Sequence, residues 1–477
     1  MMTDVQLCNK AMLAKAPGHV KRWRYYDGDH PITYLNQKFS EVFGNSAPYK
    51  KNWCQVIIDS TRNRMKVQEW ANDDTATAEA MAEVWKSCLR KSATEVITAA
   101  LTTGESYLVA WTRPDGTVKA YYHDPTQAHV IYDEADPDTP RVGCKRWQGS
   151  SETGKQRWFI DLYYKYSIEH YYSDTEPSEH TSWVLDAAEG NPYGRIPIFH
   201  FRTNRRTMVG ELSAGVLSIQ DAINKLFNDM MVTSEYSAFN QRWAIASFED
   251  GKLPSGPGTL LKLPPAAEGE QDTSVGTFAA GSPANYLEPM GNLTNDIAAL
   301  TGIPRHYFEG QGANISGEAL QTMEAPLIAK VERLQEIIGD TWTEAMTFCM
   351  QLRGNAVDPA GVECIWADPH TVQPETQATT RKTNTEAGIP IINILRDEGW
   401  SEDQLDQLRE DQQEAAAVTA TATAAAAPAT QAPTPQRVPL TPDEAAPRFE
   451  AITRTPDIAG QLASTGALAR AVNRQAN

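Results

Sequence analysis

No stretch of this sequence approaches the ~18 uninterrupted apolar residues that a membrane-spanning helix needs, so no membrane partner is expected. The opening MMTDVQLCNKAMLAK lacks the long apolar core of a secretory signal, and assembly in a cytoplasm is the expectation. Six cysteines (Cys8, Cys54, Cys88, Cys144, Cys349, Cys364) lie scattered, with no C-x-x-C pair. That spacing excludes a dense disulfide framework and a clustered zinc site, and predicts reduced, mostly packed thiols. Nine histidines are present, but His123, His129, His170, His180 and His200 show no H-x-x-x-H spacing, and His306 stands alone in a loop. There is no G-x-S-x-G elbow either. The expectation is no catalytic residue, no metal and no cofactor: this is not an enzyme.

Positive charge is also scarce. Lys plus Arg is 43 against 61 Asp plus Glu, a net charge of −18. Tight nucleic-acid binders are usually basic, because phosphate contacts and counterion release supply much of their affinity. An acidic balance argues against a tight grip on DNA, but it suits a passage through which a duplex slides. It also confers plain solubility.

One motif imitates nucleotide chemistry. Gly149-Ser-Ser-Glu-Thr-Gly154-Lys155 has the Gly and Lys spacing of a phosphate-binding loop. Gln156 stands where Ser or Thr should hold magnesium, and RWFIDLYYKY follows where a helix N-terminus should face the phosphates. The alternating aromatic run reads as a strand, and the motif as a hairpin loop.

What the chain does contain is ordered periodicity. Trp53, Val56, Ile57 and Ile58 suit one helix or a buried strand, and Met81 to Leu101 recur at helical spacing. After Gly104 the period becomes strand-like. SYLVAWT, TVKAYYH, HVIYDE, VGCKRWQ, QRWFIDLYYKY and IPIFHF, separated by short turns, predict an antiparallel meander. Helix returns near Gly210, where Val216, Ile219, Ile223, Leu226 and Met230 form an apolar stripe. Asp221, Lys225, Asn228 and Asp229 are expected on the opposite, polar side. A Gly/Pro-rich stretch over about 250–285 precedes a helix at about Asn292–Leu300, which Gly302 and Pro304 end. From Leu320 to Cys349, steps of 3 and 4 predict a helix of about 35 residues that Pro326 should kink. Beyond about residue 412 an Ala/Thr/Pro-rich composition predicts a largely disordered tail.

Several ordered blocks resemble the portal proteins of tailed bacteriophages, the siphovirus-type portals of actinobacteriophages in particular. They are YYDGDHPITYL, NWCQVIIDSTRNRMKVQEW, GELSAGVLSIQDAINKLFNDMMVTSEYSAFNQRWA and TGIPRHYFEGQGANISGEALQTMEAPLIAKVERLQ, within about residues 20–410. The resemblance implies a helix-rich α+β portal fold. Residues 1–208 would be the wing of N-terminal helices and antiparallel strands, 209–239 the outgoing stem helix, and 240–285 the clip. The returning stem helix would be 286–301, the tunnel loop 302–317, the long kinked wing helix with a wing strand 318–374, and the crown 375–412, with 413–477 as the tail. It further implies a structural subunit of a ring, dodecameric in the family, at one capsid vertex of the virion, through which double-stranded DNA is packaged and ejected. Implied partners are other copies of itself, the terminase large subunit, head-tail adaptor or neck proteins, major capsid and scaffold proteins, and DNA held without sequence preference. Within the matched loop, Arg305, His306, Gln311 and Asn314 are the candidate DNA-facing residues. The alternatives are another virion structural protein, such as an adaptor or capsid-associated subunit, and behind it an NTP-using packaging enzyme.

Overall fold

The computed structural model describes residues 2–29, 49–151, 154–238, 242–245, 274–277, 281–309, 317–371, 374–397, 400 and 404–413. The tail expectation, Gln311, Asn314, most of the 240–285 stretch and most of YYDGDHPITYL lie outside the described residues. The chain divides into two units, 1–377 and 378–477.

The first unit opens with α1 (Asp4–Tyr26) and α2 (Trp53–Arg62). The apolar cluster at 53–58 is therefore helical, and Asn52 caps it by accepting from the Gln55 N–H. A short β1 (Val67–Ala71) leads to α3 (Thr75–Val84), a π-helical turn at Trp85–Leu89, and α4 (Arg90–Thr103). The continuous helical spacing thus hides a one-turn π distortion. It seats Trp85 in the core, where its ring lies 5.3 Å from that of Trp342.

The strand region is two sheets rather than one meander. Strands β2 (Glu105–Thr112) and β3 (Val118–His123) begin the first. A five-strand antiparallel meander follows: β4 (Ala128–Tyr132), β5 (Pro140–Ser150), β6 (Gln156–Tyr163), β7 (Ser167–Ser173) and β8 (Val184–Gly190). The last strand, β9 (Ile198–Arg202), leaves that series and returns to pair with β2, so the first sheet has the order β3-β2-β9. The correction has a physical cause. Phe199 and Phe201 are 2% and 0% exposed against the helical core, a burial unavailable at the solvated end of the meander. The phosphate-loop imitation is the β5–β6 turn, with Ser150 opposite Gln156 and a strand after it.

Gly104 makes the helix-to-strand switch. It holds φ 102°, caps α4 through its N–H to Ala100 O at 2.8 Å, and leaves no room for a side chain. A Cβ there would lie 2.4 Å from Met208 O. We expect Gly104→Ala to lower the melting temperature by several degrees, since left-handed strain and a backbone clash each cost about 1–3 kcal/mol. An unchanged melting curve would show that the 203–211 segment yields.

Beyond these sheets, α5 (Ala214–Ala238), the antiparallel pair β10 (Arg242–Ile245) and β11 (Ser274–Thr277), and α6 (Ala284–Thr301) follow. Helix α6 starts several residues earlier than its spacing indicates and carries Pro289 inside it. The two helices run antiparallel. Thr233 Oγ1 meets Tyr286 OH at 2.9 Å near one end, and Gly215 adjoins Leu300 near the other. The polar side of α5 is corrected as well. Gln220, Asn224 and Asn228, at i, i+4 and i+8, are 0–2% exposed. Their amides serve the extended backbone of residues 49–53. Gln220 donates to Lys51 O at 2.7 Å and accepts from Trp53 N at 2.9 Å, Asn224 accepts from Lys51 N at 2.7 Å, and Asn228 donates to Tyr49 O at 2.8 Å.

After the short α7 (His306–Glu309), α8 (Gly317–Leu352) is the spine of the unit. From Leu327 through Val331, Leu334, Ile338, Trp342, Ala345 and Cys349 its stripe is fully buried, while Met323 is exposed. Helical hydrogen bonding continues through Pro326. Proline costs roughly 3 kcal/mol there, and each large buried side chain on the stripe returns about 1.5–3 kcal/mol. Strand β12 (Glu363–Trp366) pairs with β1. The six thiols are free and five are buried; Cys88 contacts Cys349 and Cys8 contacts Cys144 within hydrogen-bond reach.

One buried carboxylate ties α1 to the sheets. Glu105, 0% exposed at the start of β2, accepts from His19 Nε2 at 3.1 Å, His200 Nε2 at 3.0 Å, Tyr107 OH at 2.9 Å and Lys15 Nζ at 3.0 Å. Burial opposes its charge, but these donors outweigh burial and hold its pKa well below the usual carboxylate range. The boundary between the units falls within the residues of α9 (Pro374–Glu386), and in the second unit α10 (Ile391–Asp397) buries Ile394 and Leu395.

Candidate functional site

The segment singled out by sequence begins where α6 ends. Gly302 takes φ 69° and donates its N–H to Ala298 O at 2.9 Å, closing the helix in a left-handed cap. Its Cα side rests against Pro326 of α8, about a van der Waals contact away. Ile303 and Pro304 are buried, and Arg305 is exposed. Phe308 then returns to the core, 3% exposed, with its ring 5.5 Å from Trp53 in an edge-on contact. Two apolar anchors, Ile303 and Phe308, therefore hold the stretch down, and Arg305 stands out between them.

Beneath this stretch lies a clasp built on Glu324 of α8. Its side chain is 3% exposed. Tyr307 OH donates to Oε1 at 2.8 Å, Arg64 Nη2 approaches Oε1 at 3.1 Å, and the Thr371 hydroxyl donates to Oε2. Arg64 also donates to Tyr307 OH at 2.6 Å, to Thr371 Oγ1 at 2.8 Å and to Pro369 O. Burial pushes the Glu324 pKa up, yet hydrogen bonds from Thr371 and Tyr307 and the charge of Arg64 prevail and hold it below its ordinary value. One carboxylate thus joins four chain segments: the loop after α2, α7, α8 and the stretch after β12.

A second grip acts one and a half turns further along α8. Lys330 Nζ donates to Thr301 O at 2.9 Å, where the negative end of α6 favours a cation, and to Glu211 Oε2 at 2.7 Å. Gln335 adds bonds to Arg64 O at 3.3 Å and Ala367 O at 3.4 Å. Helix α8 therefore fixes both the point where the chain leaves α6 and the point where it enters α7.

The four candidate residues divide accordingly. Arg305 lies at the surface. His306 is turned inward, 19% exposed, with Nε2 3.9 Å from Glu324 Oε1. Gln311 and Asn314 lie outside the described residues. Among the described residues no group of three or more His, Cys, Asp or Glu side chains is disposed to hold a metal ion. No described helix is long and apolar enough to cross a membrane. The arrangement offers no nucleophile paired with a base. Among the described residues it ties Thr301–Glu309 to α8.

The family model for phage portal protein, SPP1 Gp6-like, matches residues 8–417. The chain belongs to that portal family. The portal protein of Mycobacterium phage D29 is 29% identical over 251 residues, which are 49% of this chain and 52% of the relative. The portal protein of Mycobacterium phage L5 is 28% identical over 240 residues, 47% of this chain and 49% of the relative. The chain spans about half the length of these curated relatives in the matched region. A chain from the neck of an empty GTA particle aligns at TM-score 0.39 with 13% identity, covering 82% of this chain and 92% of that one, a likeness too loose to argue from.

In this portal chain the residues that sequence reasoning missed are those of the clasp. Arg64 and Tyr307 lie inside the blocks quoted for the resemblance, and Glu324 lies in QTMEAPLIAK, but no spacing links them. They are separated by 243 residues (Arg64 to Tyr307) and 47 residues (Glu324 to Thr371). The one local signal was Glu324, two residues before Pro326 and directly before the apolar run APLIA.

Proposed function

We propose that this chain is a structural subunit of a closed ring at one capsid vertex, through which double-stranded DNA enters and leaves. The observation that carries the reading is the portal-family match over residues 8–417. The antiparallel pair α5 and α6 around an excursion supports it, as does the long α8 behind a surface segment. In this reading α5 and α6 are the stem, the stretch between them the clip, and 302–317 the tunnel loop. Strands β2–β9 and α8 belong to the wing, and 375–412 is the crown. Pro326 marks the bend of the wing helix. Copies of the chain close the ring, dodecameric as the resemblance implies. Terminase docks on one side, neck proteins on the other, and capsid and scaffold proteins around the rim.

Among the described residues of the tunnel segment Arg305 is the one best placed to meet phosphate, and His306 acts behind it through Glu324 rather than on DNA. Duplex DNA carries one charge per ~1.7 Å, so a single cation per subunit, repeated around a ring, touches the backbone without sequence preference. The acidic balance of the whole chain keeps that contact transient. The chemistry is mechanical, and no reaction is assigned.

Negative-stain microscopy of the full chain is expected to show closed rings with a central hole; monodisperse monomers under all salt and protein concentrations would overturn the reading. Deleting Gly310–Asn314 is expected to leave rings intact and to impair DNA packaging or retention. Loss of ring formation on that deletion would show that the segment joins subunits rather than facing DNA.

A further inference from the structure

Strand β8 makes an unusual edge. All seven of its residues, Val184–Gly190, are exposed, and none belongs to a buried apolar cluster. The five-strand sheet is covered on one face by α1, where Val5, Cys8 and Met12 pack on Val142, Cys144, Ile160 and Leu162, but that cover does not reach β8. Among the described residues β8 pairs with β7 alone, so its other edge presents backbone N–H and C=O groups to solvent. Two large apolar side chains go with it: Val184 is 47% exposed and Leu185 52%. Edge strands are usually shortened, covered or blunted, because an open edge templates pairing. Here the strand is long for an edge that buries nothing, and its only irregularity is a register shift that leaves Asp186 between Leu185 and Ala187.

The charge around this edge is mostly negative, although Asp174 is paired with Lys155 and Arg157 and Glu189 lies 3.6 Å from His170 Nε2. Between Lys165 and Gly190 there are six acids (Glu169, Asp174, Glu176, Glu179, Asp186, Glu189) and one lysine. Asp186 and Glu189 lie on β8 itself. Two copies of the edge pairing with each other would bring these acids together, and like charges placed opposite each other are destabilising. Pairing of this edge with its own copy is therefore disfavoured, and a basic strand is favoured.

We propose that the open edge of β8 receives a basic, extended segment of a partner protein as a sixth strand. Backbone hydrogen bonds along the strand supply affinity, Val184 and Leu185 gain cover, and Asp186 and Glu189 select lysine or arginine. This inference rests on the edge alone and stands whether or not the chain lines a DNA channel.

The test uses the full chain and three short synthetic peptides: one alternating lysine and valine, one alternating glutamate and valine, and the lysine peptide with its backbone N-methylated. Amide hydrogen exchange across Val184–Gly190 is the readout. The lysine peptide is expected to slow exchange there by roughly tenfold or more. The effect should vanish in about 1 M salt, where the screening length falls to about 3 Å. The methylated and glutamate peptides should give no protection. The double variant Asp186→Lys, Glu189→Lys changes only exposed side chains; it should abolish protection by the lysine peptide and gain it from the glutamate peptide. Equal protection by both charged peptides, or none by either, would overturn the proposal. So would β8 amides already protected in assembled rings but not in monomers, an outcome that would assign the edge to a second copy.

Discussion

Glu105→Ala is expected to destabilise the chain by about 3–5 kcal/mol, the usual cost of removing one partner from a buried charged network. The reason is the number of groups it strands. His19, His200, Tyr107 and Lys15 all donate to this one carboxylate, and it is 0% exposed, so water cannot replace it. The loss should spread, because the donors come from α1, β2 and β9, and α1 is held to the sheets through them. Glu105→Gln should be harmful as well. Its single carbonyl oxygen cannot serve four donors, and its NH2 group faces N–H or O–H partners. A fall in melting temperature on the order of 5 °C or more is expected in both variants. Helical signal from α1 should be lost first in Glu105→Ala. A fall of less than 1 °C would show that the network contributes little net energy.

Stability should drop steadily as the pH falls from about 6.5 toward 4. Burial pushes His123 down to about 4 and His129 down to about 3, the latter also repelled by Lys15. Burial likewise lowers His200 to about 4 despite its bond to Glu105. The ordinary histidine value is about 6.5. Between those values the unfolded chain binds protons that the folded chain refuses, so each group removes up to ~1.4 kcal/mol of stability per pH unit through that window. His170 has the opposite sign. Burial lowers its pKa, but the bond to Asp161 at 2.6 Å prevails and raises it, so its contribution is present at low pH and lost as pH rises through its folded pKa. Asp161 and Glu344, which burial raises, share the sign of His170; the large downward shifts of the three buried histidines outweigh them and leave a net loss on acidification. Glu105 adds a further loss once the pH enters the ordinary carboxylate range, where the unfolded chain takes up a proton that the folded carboxylate refuses. Melting temperatures measured from pH 7.5 to 4.5 should therefore fall throughout, and His129→Gln should flatten the curve. A flat profile would show that these rings are open to water in solution.

The family and the helix-rich α+β class were legible in the sequence because they rest on ordered local patterns. The stripe on α8 is an example: steps of 3 and 4 from Leu327 to Cys349 admit one structure only, and each of those residues is buried. The hairpin at Gly149–Lys155 was legible for the same reason, since the alternating run after it excludes a helix. Local pattern was also where the reading failed. Asn228 was assigned to a solvated side of α5, but with Gln220 and Asn224 it forms an amide ladder for the backbone of residues 49–53. The i, i+4, i+8 spacing of three amides was visible, but whether such a stripe meets water or a buried main chain depends on what packs there.

The sequence by itself determined the helices with a long apolar stripe (α3–α4, α5, α8), the strands β2–β6 and β9, the absence of a recognisable catalytic motif, and the blocks that mark a phage portal chain. Only the tertiary structure decided that β9 abandons its neighbours for β2, that His306 turns inward while Arg305 stays at the surface, and that Glu105 and Glu324 are the two hubs. The physical reason is the same in each case. Periodicity records the face an element must bury, over a few residues and with one dominant energy. The hubs draw most of their donors from distant sequence: His19, Lys15 and His200 lie 86 to 95 residues from Glu105, and Thr371 lies 47 from Glu324. A donor's burial and its acceptor's position must be satisfied together, and no local spacing records both.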